Sequence, residues 1–298
     1  MDLLTALFDF KAMGIEVATG AMFVTLFLLL ITGMPLAFVT LLVALIFALG
    51  WFGPMAVPLI TSRIFSFVNS FVFVSVPMFV LMAAILDRSG IARDLFDAMR
   101  VVGGRLRGGI AIQTLLVAVV LAAMSGIIGG EVVLLGLLAL PQMLRLGYDR
   151  RLAIGVCCAG GALGTMVPPS IVLIIYGLTA SVSIGDLFTA SFLPGVMLGL
   201  GMFTAVWWVA RRLGLPTAEV PGGFRAYKGE LVHAIPALLM PIFVIGTLRF
   251  GIATPTEVSV MAVAYALFVS GVIYRDLTLR DIWKAMIDTG VMTGAVLI

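Results

Sequence analysis

Two interruptions in apolar, uncharged sequence are the places where chemistry is most strongly indicated. The first is Ser125-Gly126-Ile127-Ile128-Gly129-Gly130, and the second is Gly164-Thr165-Met166-Val167-Pro168-Pro169-Ser170. A helix broken inside a membrane loses backbone hydrogen bonds that hydrocarbon cannot replace. Such breaks therefore persist only where they line a protein cavity or bind something. Together the two breaks predict one cation site.

The double proline of the second break frees backbone oxygens. Pro168 and Pro169 carry no N–H group, so the helical hydrogen bonds that would end on the carbonyls of Gly164 and Thr165 cannot form. Pro168 also favours an extended conformation at Val167, and a new helix is expected to begin at Pro169. Freed carbonyl oxygens in a dry site are cation ligands. The alternative is a simple proline kink in a packed helix.

Hydroxyl groups near the breaks add candidate ligands. Ser125 offers one at the first break, beside glycines that allow close backbone approach or a tight contact between helices. Thr165 and Ser170 offer two more to substrate or ion at the second break. Ser170 has an alternative role, because it is also placed to satisfy the start of the following helix.

Glu131 is a carboxylate directly after the first break, inside an apolar run. Such a charge at the bilayer centre costs at least about 2.5 kcal/mol on insertion scales. One interpretation is that Glu131 lies in the first turn of the returning helix, where the helix dipole favours a negative charge. The second interpretation is that it couples protons to transport or binds a cation. The sequence leaves both open.

The composition predicts an all-α polytopic membrane protein. Of 298 residues, 62% are hydrophobic and 11% are charged, which excludes a soluble globular chain. The arginines cluster in short loops, as the positive-inside rule describes, so the net charge of +3 does not indicate nucleic acid. The sequence contains no His-Glu-x-x-His, G-x-S-x-G or Walker motif, so we expect no enzyme activity and no cofactor.

The elements that must position the two breaks are indicated by apolar runs and basic loops. Residues 87–107 form an amphipathic surface arm, and residues 108–146 form either a re-entrant hairpin or two thin spans. Residues 152–180 are a discontinuous helix, and residues 211–230 are a linker. Near the start of the chain, Gly33-Met34-Pro35 marks either a kink in one long helix or a boundary between two short ones.

The order of these elements suggests one transmembrane domain, 1–298, built from inverted repeats. Residues 1–210 are the first repeat, and 231–298 are an incomplete second repeat with a shorter arm at 275–288. We expect a second hairpin to begin at Thr289-Gly290 and the protein to continue beyond Ile298. The apolar run after Gly290 is too short to span a bilayer. The alternative is a short homologue that pairs with itself or with a separately encoded remainder.

The chain resembles the large membrane subunit of tripartite ATP-independent periplasmic (TRAP) transporters, the dicarboxylate-type permease. The resemblance extends over essentially the whole chain and rests on motifs in a fixed order. These motifs are Gly33-Met34-Pro35-Leu36-Ala37-Phe38, Val76 to Met82, Gly104 to Gly109, Pro141 to Asp149, Gly161 to Ser170, Leu193-Pro194-Gly195 and Thr254-Pro255-Thr256-Glu257.

This resemblance implies an elevator-type secondary transporter in the bacterial inner membrane. It implies uptake of an organic acid, such as a dicarboxylate, driven by a sodium gradient. The expected partners are a small membrane subunit and a periplasmic solute-binding protein, with the lipid bilayer around them. In the family, a sodium site corresponds here to Ser125 together with Gly164, Val167 and Pro169.

One departure from the family pattern concerns the coupling ion. The commoner family tip reads Ser-Gly-Ser followed by small and hydroxyl residues, whereas Ile127, Ile128 and Glu131 follow Ser125-Gly126 here. A hydroxyl is lost and a carboxylate is gained, so proton coupling stays open beside sodium coupling. Two further functions also stay open: a stand-alone ion-coupled transporter of organic anions, and a membrane scaffold fragment that does not transport.

Overall fold

The structure is a computed structural model that describes residues 10–103, 106–126, 130–215 and 228–297. These residues form α-helices joined by short turns, with no β-strand among them. The prediction of an all-α membrane protein is confirmed. The helices are α1 (Ile15–Ile31), α2 (Leu36–Phe52), α3 (Ala56–Val68), α4 (Ser75–Arg88), α5 (Ile91–Gly103), α6 (Gly109–Ser125), α7 (Gly130–Leu138), α8 (Leu140–Arg145), α9 (Arg150–Ala162), α10 (Ile171–Ala180), α11 (Ile184–Arg212), α12 (Lys228–Arg249), α13 (Pro255–Phe268) and α14 (Leu279–Leu297).

Several helices are long and apolar enough to cross a bilayer. In the described part of the chain, four helical segments meet both conditions: Leu36–Val68, Phe71–Arg88, Ile184–Arg212 and Pro255–Ile273. Four shorter apolar helices accompany them: Ile15–Ile31, Gly109–Met124, Ile171–Ala180 and Ala234–Arg249. Two of these, Gly109–Met124 and Ile171–Ala180, lie where the sequence placed the hairpin and the broken helix.

The described residues divide into two compact units, 10–70 and 71–297. In the first unit, the break at Gly33 separates two helices, α1 and α2, which contact each other. Gly33 has a φ of 81°, a conformation that side chains with a Cβ rarely adopt. The structure therefore favours two short helices over one kinked helix at this position.

In the second unit, the predicted amphipathic arm is the helix α5. Its apolar face is buried against α6 and α12, with Ile91, Leu95 and Phe96 almost fully covered. The buried side chain of Gln113 on α6 donates a hydrogen bond to the Phe96 carbonyl. This bond fixes the arm to the first helix of the hairpin.

The predicted hairpin 108–146 consists of α6, a break, and the returning helices α7 and α8. The sequence predicted one returning helix, but the structure divides it between Leu138 and Leu140. Pro141 lies at the start of α8, where its missing N–H costs no helical hydrogen bond. Residues Ile127 to Gly129 at the tip lie outside the described part of the chain.

The predicted broken helix is observed as α9, a 3₁₀ turn at Leu163–Thr165, a loop, and α10. The prediction that the second half begins at Pro169 is wrong, because α10 begins at Ile171. Ser170 has extended dihedrals, φ −129° and ψ 124°. Its hydroxyl donates to the Thr165 carbonyl, and the Ile171 N–H donates to the Gly126 carbonyl. These two bonds hold Ser170 in an extended conformation, so α10 begins only at Ile171.

The remaining helices complete the second unit. The α4 helix contacts both α13 and α14, and a buried apolar cluster includes Phe79 and Met82 from α4 and Ala262 from α13. The predicted shorter arm at 275–288 is not a separate element, since α14 runs unbroken through Thr289 to Leu297. Most of the predicted linker, residues 216–227, lies outside the described part of the chain. The inverted repeat and the second hairpin stay predictions.

Candidate functional site

The end of α6 lies directly on the double-proline loop. Gly126 ends α6 in a left-handed conformation, with φ 60° and ψ 15°. A Cβ atom at this position would lie 2.2 Å from the carbonyl oxygen of Pro169. The Gly126 carbonyl accepts a hydrogen bond of 3.4 Å from the N–H of Ile171. Only glycine fits both the dihedral angles and the space, so the two predicted breaks are in direct contact.

The carboxylate of Glu131 also faces the broken helix. Glu131 lies in the first turn of α7 and is only 4% exposed. A Cβ atom on Gly164 would lie 2.8 Å from Oε2 and 3.1 Å from Oε1 of this carboxylate. The carboxylate thus contacts the stretch of backbone that the sequence selected for cation binding. Its location in the first turn of α7 is also compatible with the capping interpretation, so both roles stay open.

Two hydroxyl groups at the second break bind neighbouring carbonyls. The Thr165 hydroxyl donates to the Ala162 carbonyl at 2.9 Å, and the Ser170 hydroxyl donates to the Thr165 carbonyl at 2.8 Å. The expectation that the Thr165 carbonyl is left free is therefore wrong, since a side chain replaces the missing N–H. Ser170 makes no side-chain cap on α10. Both hydroxyl oxygens retain lone pairs, and lone pairs are what a cation requires.

Ser125 and Val167 are positioned differently from these groups. Ser125 is the last residue of α6 and so lies beside the contact between Gly126 and Pro169, although its hydroxyl lies outside the described part of the structure. The side chain of Val167 lines an apolar cavity against α11, on which Gly195 is its neighbour. If Val167 belongs to the site, it contributes through its backbone.

Glycines on α9 bring the broken helix close to both arms of the hairpin. A Cβ atom on Gly160 would lie 2.8 Å from the Cβ of Ala118 on α6. A Cβ atom on Gly161 would lie 2.2 Å from a methyl carbon of Val132 on α7. Small residues at a helix interface permit this close packing within a membrane. The close packing of these glycines against hairpin side chains therefore positions the broken helix relative to both arms of the hairpin.

A small charged cavity adjoins Glu131. It encloses about 150 Å³, and its lining includes Asp87 and Arg88 at the end of α4, Glu131 on α7, and Asp288 on α14. Arg88 and Asp288 form an ion pair. Among the described lining residues, three carboxylates stand against one guanidinium, which gives the cavity an excess of negative charge when all are ionised. Such a potential concentrates cations rather than anions.

The sequence did not indicate that these charges meet. Asp87 and Arg88 belong to the arm pattern of the predicted first repeat, and Asp288 belongs to a similar pattern 200 residues later. No local spacing connects residues so far apart in the chain. The available signal was the predicted inverted repeat, because equivalent helices of such repeats meet around a shared site.

The bond between Ser170 and the Thr165 carbonyl gives a prediction about stability. Replacing Ser170 with Ala leaves this carbonyl without its side-chain donor, and Ser170 is fully buried. We expect the variant to lose about 1 to 3 kcal/mol of stability, measured as a lower thermal unfolding temperature in detergent. Thr204→Ala is the control, since that exposed hydroxyl donates to Gly201 within one helix. Equal shifts for both variants would contradict the role of Ser170.

A hairpin of short helices against a broken helix, in a chain with apolar helices long enough to span a bilayer, is typical of helical membrane transport proteins. Comparison with known sequences agrees. The chain belongs to the family described as tripartite ATP-independent periplasmic transporter, DctM component, whose sequence model matches residues 23–298. It is accordingly a multi-pass inner-membrane protein of a transport family, and not an enzyme.

Several known relatives match most of this chain. It is 32% identical, over 89% of its length, to the 2,3-diketo-L-gulonate TRAP transporter large permease protein YiaN of Escherichia coli (strain K12). It is 33% identical, over 81% of its length, to the C4-dicarboxylate TRAP transporter large permease protein DctM of Pseudomonas aeruginosa. A third relative, at 29% identity over 79% of the chain, is the sialic acid TRAP transporter permease protein SiaT of Haemophilus influenzae.

The matched part of these relatives is not their whole length. The chain spans 62% of the Escherichia coli protein, 56% of the Pseudomonas aeruginosa protein and 38% of the Haemophilus influenzae protein. The names of the three relatives give three different solutes.

Proposed function

We propose that this chain forms the ion-binding half of a TRAP transporter large permease. In the complete transporter, a sodium gradient drives uptake of an organic acid delivered by a periplasmic solute-binding protein. A small membrane subunit is the third component. One observation carries the proposal. Gly126 lies directly against the Pro169 carbonyl, and the Glu131 carboxylate lies against Gly164.

The chemistry around this contact suits a small hard cation. Backbone carbonyls, hydroxyl oxygens with free lone pairs and one carboxylate are oxygen ligands, which such cations prefer. The excess of carboxylates around the cavity beside Glu131 also attracts cations. The sodium ion lies between the end of α6 and the loop from Gly164 to Pro169. Ser125, Thr165, Val167 and Ser170 belong to the same site or its rim.

Proton coupling is the second candidate, and one observation favours it. A carboxylate that is only 4% exposed, in a membrane protein, is a common proton carrier. In this mechanism Glu131 takes up and releases a proton during the transport cycle. The two candidates differ in which gradient drives uptake.

The test is uptake of a labelled organic acid by proteoliposomes that contain the complete transporter. The solute series includes C4-dicarboxylates, 2,3-diketo-L-gulonate and sialic acid. We expect uptake to require both a sodium gradient and the purified binding protein. Sodium-dependent uptake that is equally fast without the binding protein would indicate a stand-alone transporter.

Two different outcomes would point to proton coupling or to a scaffold. Uptake driven by a pH gradient in sodium-free buffer would overturn sodium coupling. It would favour proton coupling through Glu131 instead. A transporter that supports no uptake of any solute, although it still assembles with both partners, would favour a scaffold function.

A further inference from the structure

An apolar groove lies in the second unit, away from the charged cavity. It encloses about 620 Å³ between α5, α6, α11, α12 and the second break, where Leu163 and Val167 line it, and every described residue that lines it has an apolar side chain or is glycine. Phe192, Val196 and Leu200 on the rim are each more than one third exposed, so the groove opens to the surface of the chain. An organic acid has no polar partner in such a groove, and the transported solute is therefore excluded as its occupant.

The groove lies along the middle of α11. It extends from Phe192 to Phe203, which at 1.5 Å per residue is roughly 17 Å, and this stretch is centred on the helix Ile184–Arg212. Because α11 is long and apolar enough to span the membrane, the groove lies at the depth of the hydrocarbon. Hydrocarbon chains are the abundant apolar ligands at that depth.

The basic end of the groove supplies charge complementarity. Beyond Phe203, the same side of α11 continues through Trp207 to Arg211, one helical turn at a time. The Arg211 guanidinium carbon lies 4.1 Å from the centre of the Trp207 ring. Trp207 is thus an interfacial aromatic residue with a cation held on its face.

The helices close the groove at this basic end. A Cβ atom on Gly108 would lie 2.4 Å from the Cβ of Ala210, so the start of α6 meets the end of α11 there. The exposed Arg107 precedes Gly108 directly. Two arginines therefore flank the point where α6 and α11 converge, and by the positive-inside rule this end is cytoplasmic.

We propose that this groove is a binding site for an anionic phospholipid of the inner leaflet. The phosphate lies beside Arg107 and Arg211, about 12 Å beyond Phe203 along α11, and the distal part of one acyl chain enters the groove between α6 and α11. The glycines at 195 and 199 provide the room for the chain, because a side chain at either position would project into the groove. The lipid packs between the hairpin helix α6 and the long span α11.

The test uses the complete transporter in lipid nanodiscs that contain phosphatidylglycerol with a photoreactive group in its acyl chain. After irradiation, adducts are mapped by mass spectrometry of peptides. We expect adducts on the groove residues of α6 and α11. Gly199→Leu fills the groove and should reduce these adducts at least about tenfold, which corresponds to about 1.4 kcal/mol. Gly201→Leu is the matched control, since Gly201 lies about 200° further round the helix and has open space beside it.

The headgroup is tested separately, with variants that change only exposed residues. Compared with a phosphatidylcholine probe of the same chain, phosphatidylglycerol should label the groove about fivefold more strongly, as expected for one arginine near the surface. Arg211→Gln should weaken this preference, and Arg107 accounts for what remains. Arg212→Gln should retain it, because Arg212 stacks on Trp208 on another side of α11.

Three results would overturn the proposal. The first is equal groove labelling in Gly199→Leu and Gly201→Leu. The second is an equal loss of preference in Arg211→Gln and Arg212→Gln, which would mean general attraction of anionic lipid to the basic surface. The third is labelling of the outer face of α11 without labelling of the groove.

Discussion

Replacing Gly126 with Ala is expected to weaken sodium-dependent uptake by the complete transporter strongly. The added Cβ would lie 2.2 Å from the Pro169 carbonyl oxygen, and the residue would have to keep a φ of 60°. The left-handed conformation costs roughly 1 to 2 kcal/mol and overpacking roughly a further 1 to 3 kcal/mol. The site therefore separates or distorts, and the half-saturating sodium concentration should rise at least about tenfold.

The matched control for this prediction is Gly136→Ala, on the returning helix of the hairpin. Gly136 has open space beside it, and its dihedrals belong to α7. We expect that variant to transport normally. Both variants must first be shown to reach the membrane in equal amounts. Normal sodium dependence in Gly126→Ala would mean that the close contact between hairpin and loop has no part in ion binding.

Replacing Glu131 with Gln is expected to weaken sodium binding at least about tenfold while the protein still assembles. A unit charge about 4 Å away contributes about 4 kcal/mol at an effective dielectric constant of about 20, so a tenfold change, or about 1.4 kcal/mol, is a conservative expectation. The measurement is the sodium concentration that gives half-maximal uptake, at several pH values. Gln keeps the shape of Glu, so the site retains its packing against Gly164.

Glu257→Gln separates a charge effect from a capping effect. Glu257 lies in a capping box with Thr254 at the start of α13, where its carboxylate accepts from the Thr254 N–H at 2.7 Å. Gln also fills this position in capping boxes, so that variant should behave as wild type. If Glu131→Gln is equally silent in both sodium affinity and pH profile, then Glu131 is a cap. If only the pH dependence disappears, protons are the coupling ion.

Much of the architecture could be predicted because the bilayer restricts the choices. Apolar runs of fixed length, basic loops and glycine or proline breaks locate the arm, the hairpin and the broken helix. The start of α10 could not be predicted in the same way. It depends on the Ser170 hydroxyl and the Gly126 carbonyl, and the second of these comes from a different element.

The residues of the candidate site could be predicted from the sequence, but the contacts between them could not. The double proline indicated the loop from Gly164 to Ser170, and the cost of a buried charge indicated Glu131. The sequence treated Glu131 and Gly164 as separate candidates, although the carboxylate lies against that glycine. Long-range contacts of this kind depend on how the helices pack. Neither local helix propensity nor hydropathy contains information about them.

The close approach of α9 to both hairpin helices restricts how related permeases can diverge. Gly160 faces Ala118, and Gly161 faces Val132, at distances that leave no room for a methyl group. A larger residue at either glycine is tolerated only if its partner becomes smaller at the same time, so change at these positions is expected to occur in compensated pairs. A chimera that joins the hairpin of one relative to the broken helix of another therefore inherits halves whose surfaces no longer match. Exchanging the hairpin and the broken helix together, from 108 to 180, keeps the matched pairs within one parent.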